Sequence, residues 1–173
     1  VNNGSDLGEK FTALDMDAGD GPRHFVFHPS KDIVYIISEF SNTVTAATID
    51  RNTGKFGKID KKSTLPEDFT GESFCADIHM SSDGQFLYAS NRGHNSLAIF
   101  EVGSDGTLNL KGTIATEGNW PRNFALSPDE SMLLVAHQHS DNITVFKRDQ
   151  KTGSLTFTGN EIKVSKPVCL KFQ

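Results

Sequence analysis

The 173-residue sequence is poor in the residues that staple a chain, ligate metals or span a membrane. It has two cysteines, Cys75 and Cys169, too far apart for metal-ligand spacing. They read as reduced packing residues. No apolar run approaches the roughly 18 residues of a membrane helix, and the opening "VNNGSDLGEK" lacks the apolar stretch of a signal peptide. No membrane partner is expected, and the expected compartment is the cytoplasm. Basic clusters are missing as well. Lys and Arg total 17 against 22 Asp and Glu, a net charge of −5 that disfavours a nucleic-acid partner. No metal cluster has suitable spacing, so neither a metal nor another cofactor is expected. The absence of G-x-S-x-G argues against a covalent serine route, and no segment carries a helical period.

What is present is a repeat. Fifteen glycines are spread singly, and 13 phenylalanines dominate the aromatics. Four stretches align: "PRHFVFHPSKDIVYIISEFSNTVTAATID" from Pro22, "CADIHMSSDGQFLYASNRGHNSLAIFEV" from Cys75, "PRNFALSPDESMLLVAHQHSDNITVFKR" from Pro121 and "PVCLKFQ" from Pro167. Their starts are offset by 53, 46 and 46 residues. Each full unit has the same order: an alternating strand, a Pro/Asp/Gly/Ser turn, a solid apolar strand ("IVYIIS", "FLYAS", "MLLVA"), and a turn with Asn or Ser. A third strand, a glycine turn and a more polar fourth strand follow. Four short strands in about 45 residues is the period of a β-propeller blade. The second strand is apolar on both faces, as burial between blades demands, and the fourth tolerates Lys and Asp at the rim. A β-sandwich is the rival architecture, but it has no need of near-copies of one unit.

The expected fold class is all-β, a β-propeller segment with three complete blades over 22–65, 75–115 and 121–165. Residues 1–20 are expected to be the outer strand of a preceding blade, and 167–173 the inner strand of the next. Rings of this type use about 4–8 blades, and open edges invite pairing. The remaining blades are therefore expected from the rest of a longer polypeptide or from another chain.

Strands alternate in direction within a blade. The start of the first strand and the end of the second therefore share one edge, near the ring axis. That edge collects Arg23, His24 and Glu39 from the first blade, Asp77, His79 and Arg92 from the second, and Arg122 from the third. The opposite edge carries ordinary turn residues. Two readings stand side by side. Arg23 with Glu39, and Asp77 with Arg92, are ion pairs that tie inner strands within a blade; or the three arginines form a pocket for a small anion, with more positive charge than two carboxylates neutralise.

The motifs "GPRHFVFHP", "SEFSNTVTAATID", "ADIHMSSDGQFLYASNRGHNSLAIFEV" and "PRNFALSPDESMLLVAHQHSDNITVFKRDQKTGSL" resemble the seven-bladed lactonase family, over nearly the whole chain. That family embraces propeller-type 6-phosphogluconolactonases and fungal 3-carboxy-cis,cis-muconate lactonizing enzymes. The resemblance implies a seven-bladed ring with two arginines, a glutamate and a histidine around one channel mouth. Arg23 matches the arginine of "GPRH", Glu39 the glutamate after the second strand, and Arg92 of "SNRGH" the second arginine. The family's histidine belongs to a blade upstream. The implied activity is hydrolysis of a sugar-acid δ-lactone, in carbohydrate metabolism of the pentose phosphate type. Arg92 or Arg23 would face the oxyanion, and Glu39 or the upstream histidine would serve as base. His24, His79, Asp77 and Arg122 would be substrate-binding neighbours. The alternatives are a cycloisomerase acting on a carboxylated muconate and a non-catalytic propeller that binds its ligand at the same mouth.

Overall fold

The computed structural model describes residues 10–172, which hold twelve strands and no helix. The first sheet is β1 (Pro22–Phe27), β2 (Ile33–Ser38), β3 (Thr43–Ile49) and β4 (Phe56–Ser63). The second is β5 (Phe74–Met80), β6 (Phe86–Arg92), β7 (Ser96–Val102) and β8 (Leu108–Ala115). The third is β9 (Pro121–Leu126), β10 (Met132–His137), β11 (Asn142–Arg148) and β12 (Leu155–Lys163). All neighbours are antiparallel and joined by hairpins, and the inner strands β1, β5 and β9 stand next to one another in turn. Sheets that succeed one another around their inner strands are propeller blades, not the facing layers of a sandwich.

The turns explain why the units repeat. Between the second and third strands of each blade sits a residue in the left-handed region: Asn42 (φ 52°), Asn95 (φ 55°) and Asp141 (φ 54°). Asn and Asp tolerate that conformation, and their side chains bond nearby backbone. Here they reach the linker that enters the next blade. Asn42 Nδ2 donates to Ser73 O at 2.8 Å, Asn95 Oδ1 accepts from Trp120 N at 2.9 Å, and Asp141 Oδ1 accepts from Lys166 N at 2.8 Å.

Apolar burial lies between blades. Tyr35, Ile37 and Val44 of the first sheet meet Ile78, Leu87 and Phe100 of the second; Tyr88 and Leu97 then meet Phe124, Val135 and Phe146 of the third. Strand β6 is buried throughout, as a strand covered on both faces must be. A tyrosine staples each seam: Tyr35 Oη donates to Gly106 O at 3.2 Å, and Tyr88 Oη to Gly153 O at 2.8 Å. The first blade's outer flank leaves Phe25 and Phe27 61% and 54% exposed, beside an apolar recess of about 390 Å³ that also involves Met16 and Phe56. On the far flank, Ile162 and Val168 are exposed.

Residues 10–20 and 167–172, expected within an outer and an inner strand, pair with no sheet among the described residues. An extended segment has no ladder without a neighbour. Ala13 O accepts one bond from Phe56 N at 2.8 Å, and Leu170 N donates to Asn123 Oδ1 at 2.6 Å. The rest of the expected outer strand, residues 1–9, lies outside the described residues, as does residue 173.

Candidate active site

A β-bulge marks the same place in every blade. The pairing of first and second strands slips between Pro22 and His24, between Cys75 and Ile78, and between Pro121 and Asn123. The residues left unpaired are Arg23, the Ala76–Asp77 pair and Arg122. A bulge bends its strand and re-aims a side chain. Three blades thus turn charged groups towards one mouth by one device.

Glu39 stands at the seam between the first two blades. Its amide donates to Gly21 O at 2.7 Å, and its carbonyl accepts from Cys75 N of the next blade at 3.0 Å. Its carboxylate lies between two guanidinium groups. Arg23 Nε is 3.6 Å from Oε2, and Arg92 Nη2 donates to Oε1. Arg92 is nearly enclosed: Nη2 also donates to Cys75 O at 2.9 Å, and Nε to Phe74 O at 3.2 Å. Trp120 covers it, with the ring centroid 5.4 Å from Cζ, and Trp120 stacks in turn on His139 at 4.7 Å. Arg23 is more open. Burial, with repulsion from Arg92 and Arg122, holds its pKa below the usual arginine range against the pull of Glu39. Arg122 Nη1 donates to Gln138 Oε1 at 3.4 Å.

A second cluster adjoins the first through Arg23. Asp77 is buried and accepts on both oxygens. Oδ1 takes His24 Nδ1 at 2.9 Å and the Ile78 amide at 3.0 Å; Oδ2 takes His79 Nε2 at 3.1 Å, the Phe124 amide at 3.3 Å and the Asn123 side chain. Burial alone would raise its pKa. The bonds and charge of His79, the bond from His24 and the Phe124 amide outweigh burial and bring it down to about 2. Arg23 Nη1 lies 3.2 and 3.4 Å from the two ring nitrogens of His24 and also donates to Ala76 O. Among the described residues no group of His, Cys, Asp and Glu is arranged to hold a metal ion.

Six of the seven residues expected at the mouth fall in two touching clusters, Arg23, Glu39 and Arg92 in one and His24, Asp77 and His79 in the other, while Arg122 bonds Gln138 of its own blade. One expected pairing is corrected. Asp77 does not pair with Arg92 of its own blade: Arg92 crosses the seam to Glu39, and Asp77 binds two histidines. Arg92 reaches towards the preceding sheet, whereas Asp77 sits in the β5 bulge, buried between β1 and β9. Sequence reasoning missed Trp120. Its signal was present: it is the sole tryptophan and immediately precedes the repeated Pro-Arg, where the first blade has Gly21. Both positions are left-handed, at φ 67° and 65°. A bulky residue held there is strained, and such strain gathers at functional sites.

The blades and seams define a β-propeller segment that gathers charged side chains on one edge. A family model described as "Lactonase, 7-bladed beta-propeller" matches residues 1–172. The chain belongs to that family. It is 42% identical over 155 residues to a Bacillus subtilis protein named 6-phosphogluconolactonase, covering 89% of this chain and 44% of that one. Among solved structures, a putative 6-phosphogluconolactonase from Bacteroides fragilis superposes with a TM-score of 0.84 at 39% identity, over 95% of this chain and 47% of that one. A periplasmic gluconolactonase from Pseudomonas aeruginosa gives 0.87 at 32% identity, over 91% and 44%. The chain thus spans about half the length of the relatives it matches.

Proposed function

We propose that this chain contributes the arginine-rich side of a lactone hydrolase that opens 6-phosphogluconolactone or a closely similar sugar-acid δ-lactone. The observation that carries the reading is the Arg23–Glu39–Arg92 cluster, three charged groups from two blades converging at a mouth that a bulge re-aims. When water attacks a lactone carbonyl, negative charge builds on its oxygen, and a pre-positioned guanidinium stabilises it without reorganising. Arg23 is the more accessible of the pair and suits that contact. Arg92, locked by two carbonyls and Trp120, holds Glu39 and with it the orientation of Arg23. Arg122 stands at the margin, where a substrate phosphate is met by paired N–H bonds. Membership of the lactonase family and the name of the Bacillus relative support the same reading. A phosphorylated substrate does not cross membranes unaided, which supports a cytoplasmic setting.

The experiment is turnover of 6-phosphogluconolactone by the complete ring containing this chain, followed by proton release. Arg23→Ala is expected to lower kcat/KM at least about 100-fold, the scale of losing an oxyanion donor, and Arg92→Ala to lower it by releasing Glu39 and Arg23 from their positions. Binding of the lactone without hydrolysis would make the propeller a binding module. Unchanged rates in both variants would remove the arginine assignment.

A further inference from the structure

Resting on that reading, we propose that His24, oriented by Asp77, is the group that takes the proton from the attacking water. Glu39 is poorly placed for the task, because its carboxylate is already engaged by Arg23 and Arg92. His24 meets only one guanidinium, that of Arg23, and its side chain is the more exposed, 47% against 28% for Glu39. Asp77 is ionised, so it can only accept, and the 2.9 Å contact therefore places the proton of neutral His24 on Nδ1. The lone pair then resides on Nε2. Arg23 Nη1 lies 3.2 Å from Nε2 and 3.4 Å from Nδ1. A water reaches Nε2 once Arg23 turns from the ring to the lactone carbonyl oxygen. The His24 side chain is 47% exposed, while that of Asp77 is 5% exposed, so an open base is backed by a buried orienting group.

Arg23 links this dyad to the site, since one guanidinium touches both His24 and Glu39. A recess of about 330 Å³ is lined by Arg23, His24, Asp77 and His79, room for a water beside a sugar ring. The architecture is that of a base and its orienter, with the oxyanion donor alongside.

Water oxygen bonds to the lactone carbonyl carbon, its proton passes to His24 Nε2, and the carbonyl electron pair moves to oxygen facing Arg23. The intermediate collapses, the bond from that carbon to the ring oxygen breaks, and the ring oxygen leaves with the proton from Nε2. The product is a hydroxy acid, whose carboxyl proton goes to solvent. Asp77 stays ionised throughout and acts as a positioning residue.

The test uses His24→Ala and His24→Gln in the complete ring, with circular dichroism confirming that each is folded. Both are expected to lose about 100- to 1,000-fold in kcat, the usual worth of a general base, with KM within about threefold. Added imidazole is expected to restore part of the His24→Ala rate and none of the Arg23→Ala rate. Asp77→Asn is expected to lower kcat without imidazole rescue. A kcat within about threefold of wild type in His24→Ala overturns the inference while leaving the lactonase reading intact. A raised KM with unchanged kcat makes His24 a binding group and also overturns it. No turnover by the wild-type ring removes both.

Discussion

Arg92 closes the second strand of its own blade, yet the carboxylate it binds, Glu39, belongs to the blade before it. The contact joins two blades at the edge where their charged side chains gather. Glu39→Gln leaves a nearly enclosed guanidinium without its counter-charge. We expect a stability loss of about 1.5–3 kcal/mol, the worth of a hydrogen bond to a charged group, read from urea unfolding. Arg92→Lys should lose as much, because an ammonium cannot reach Glu39, Phe74 O and Cys75 O in one plane.

Acid sensitivity should come in two windows. His137 is buried, and burial pushes its pKa down to about 4 against the weaker pull of the Asn142 and Thr116 backbone. The unfolded chain binds a proton near pH 6.5 that the folded one refuses, so stability falls as pH drops from about 6.5 to 4. Asp77 acts lower. Its folded pKa of about 2 lies below the ordinary 3.8, so it stabilises above pH 4 and loses that contribution as pH falls through 2. His137→Leu should flatten the first window, and Asp77→Asn the second. Unfolding free energies measured from pH 7 to 2.5 separate them.

The two seam tyrosines offer a matched comparison. Tyr35 makes a neutral bond to Gly106 O, whereas Tyr88 bonds Gly153 O and also accepts from buried Arg148 Nε at 2.7 Å. Tyr35→Phe should cost about 1 kcal/mol, and Tyr88→Phe about 1.5–3 kcal/mol because a charged donor loses its acceptor. Equal losses in urea unfolding would show that the arginine finds another partner.

Trp120 allows a test of backbone strain. Alanine and glycine at this position lose the same contacts to Arg92 and His139, but only glycine is at ease at φ 67°. Trp120→Gly should be more stable than Trp120→Ala by about 1 kcal/mol. Thermal melts of the two variants decide it.

Much of this architecture was legible in the chain because propeller contacts are largely local. Hairpin turns such as "SSDGQ" and apolar runs such as "IVYIIS" declare four strands per unit, and alternation of strand direction brings Arg23 to Glu39. The partner of Arg92 was not legible. An arginine at that edge has a carboxylate in its own blade and another across the seam, and the choice depends on a one-residue bulge that no periodicity reveals. The place of Trp120 was hidden for a related reason: its backbone twist and its stack on His139 exist only once two linkers meet.

The Arg92–Glu39 contact also acts as a gauge of angular spacing. Two side chains of fixed reach, rooted in adjacent sheets, meet only when those sheets are splayed by the right amount. Any insertion or repacking that widened this wedge would part the charges before it unfolded either sheet.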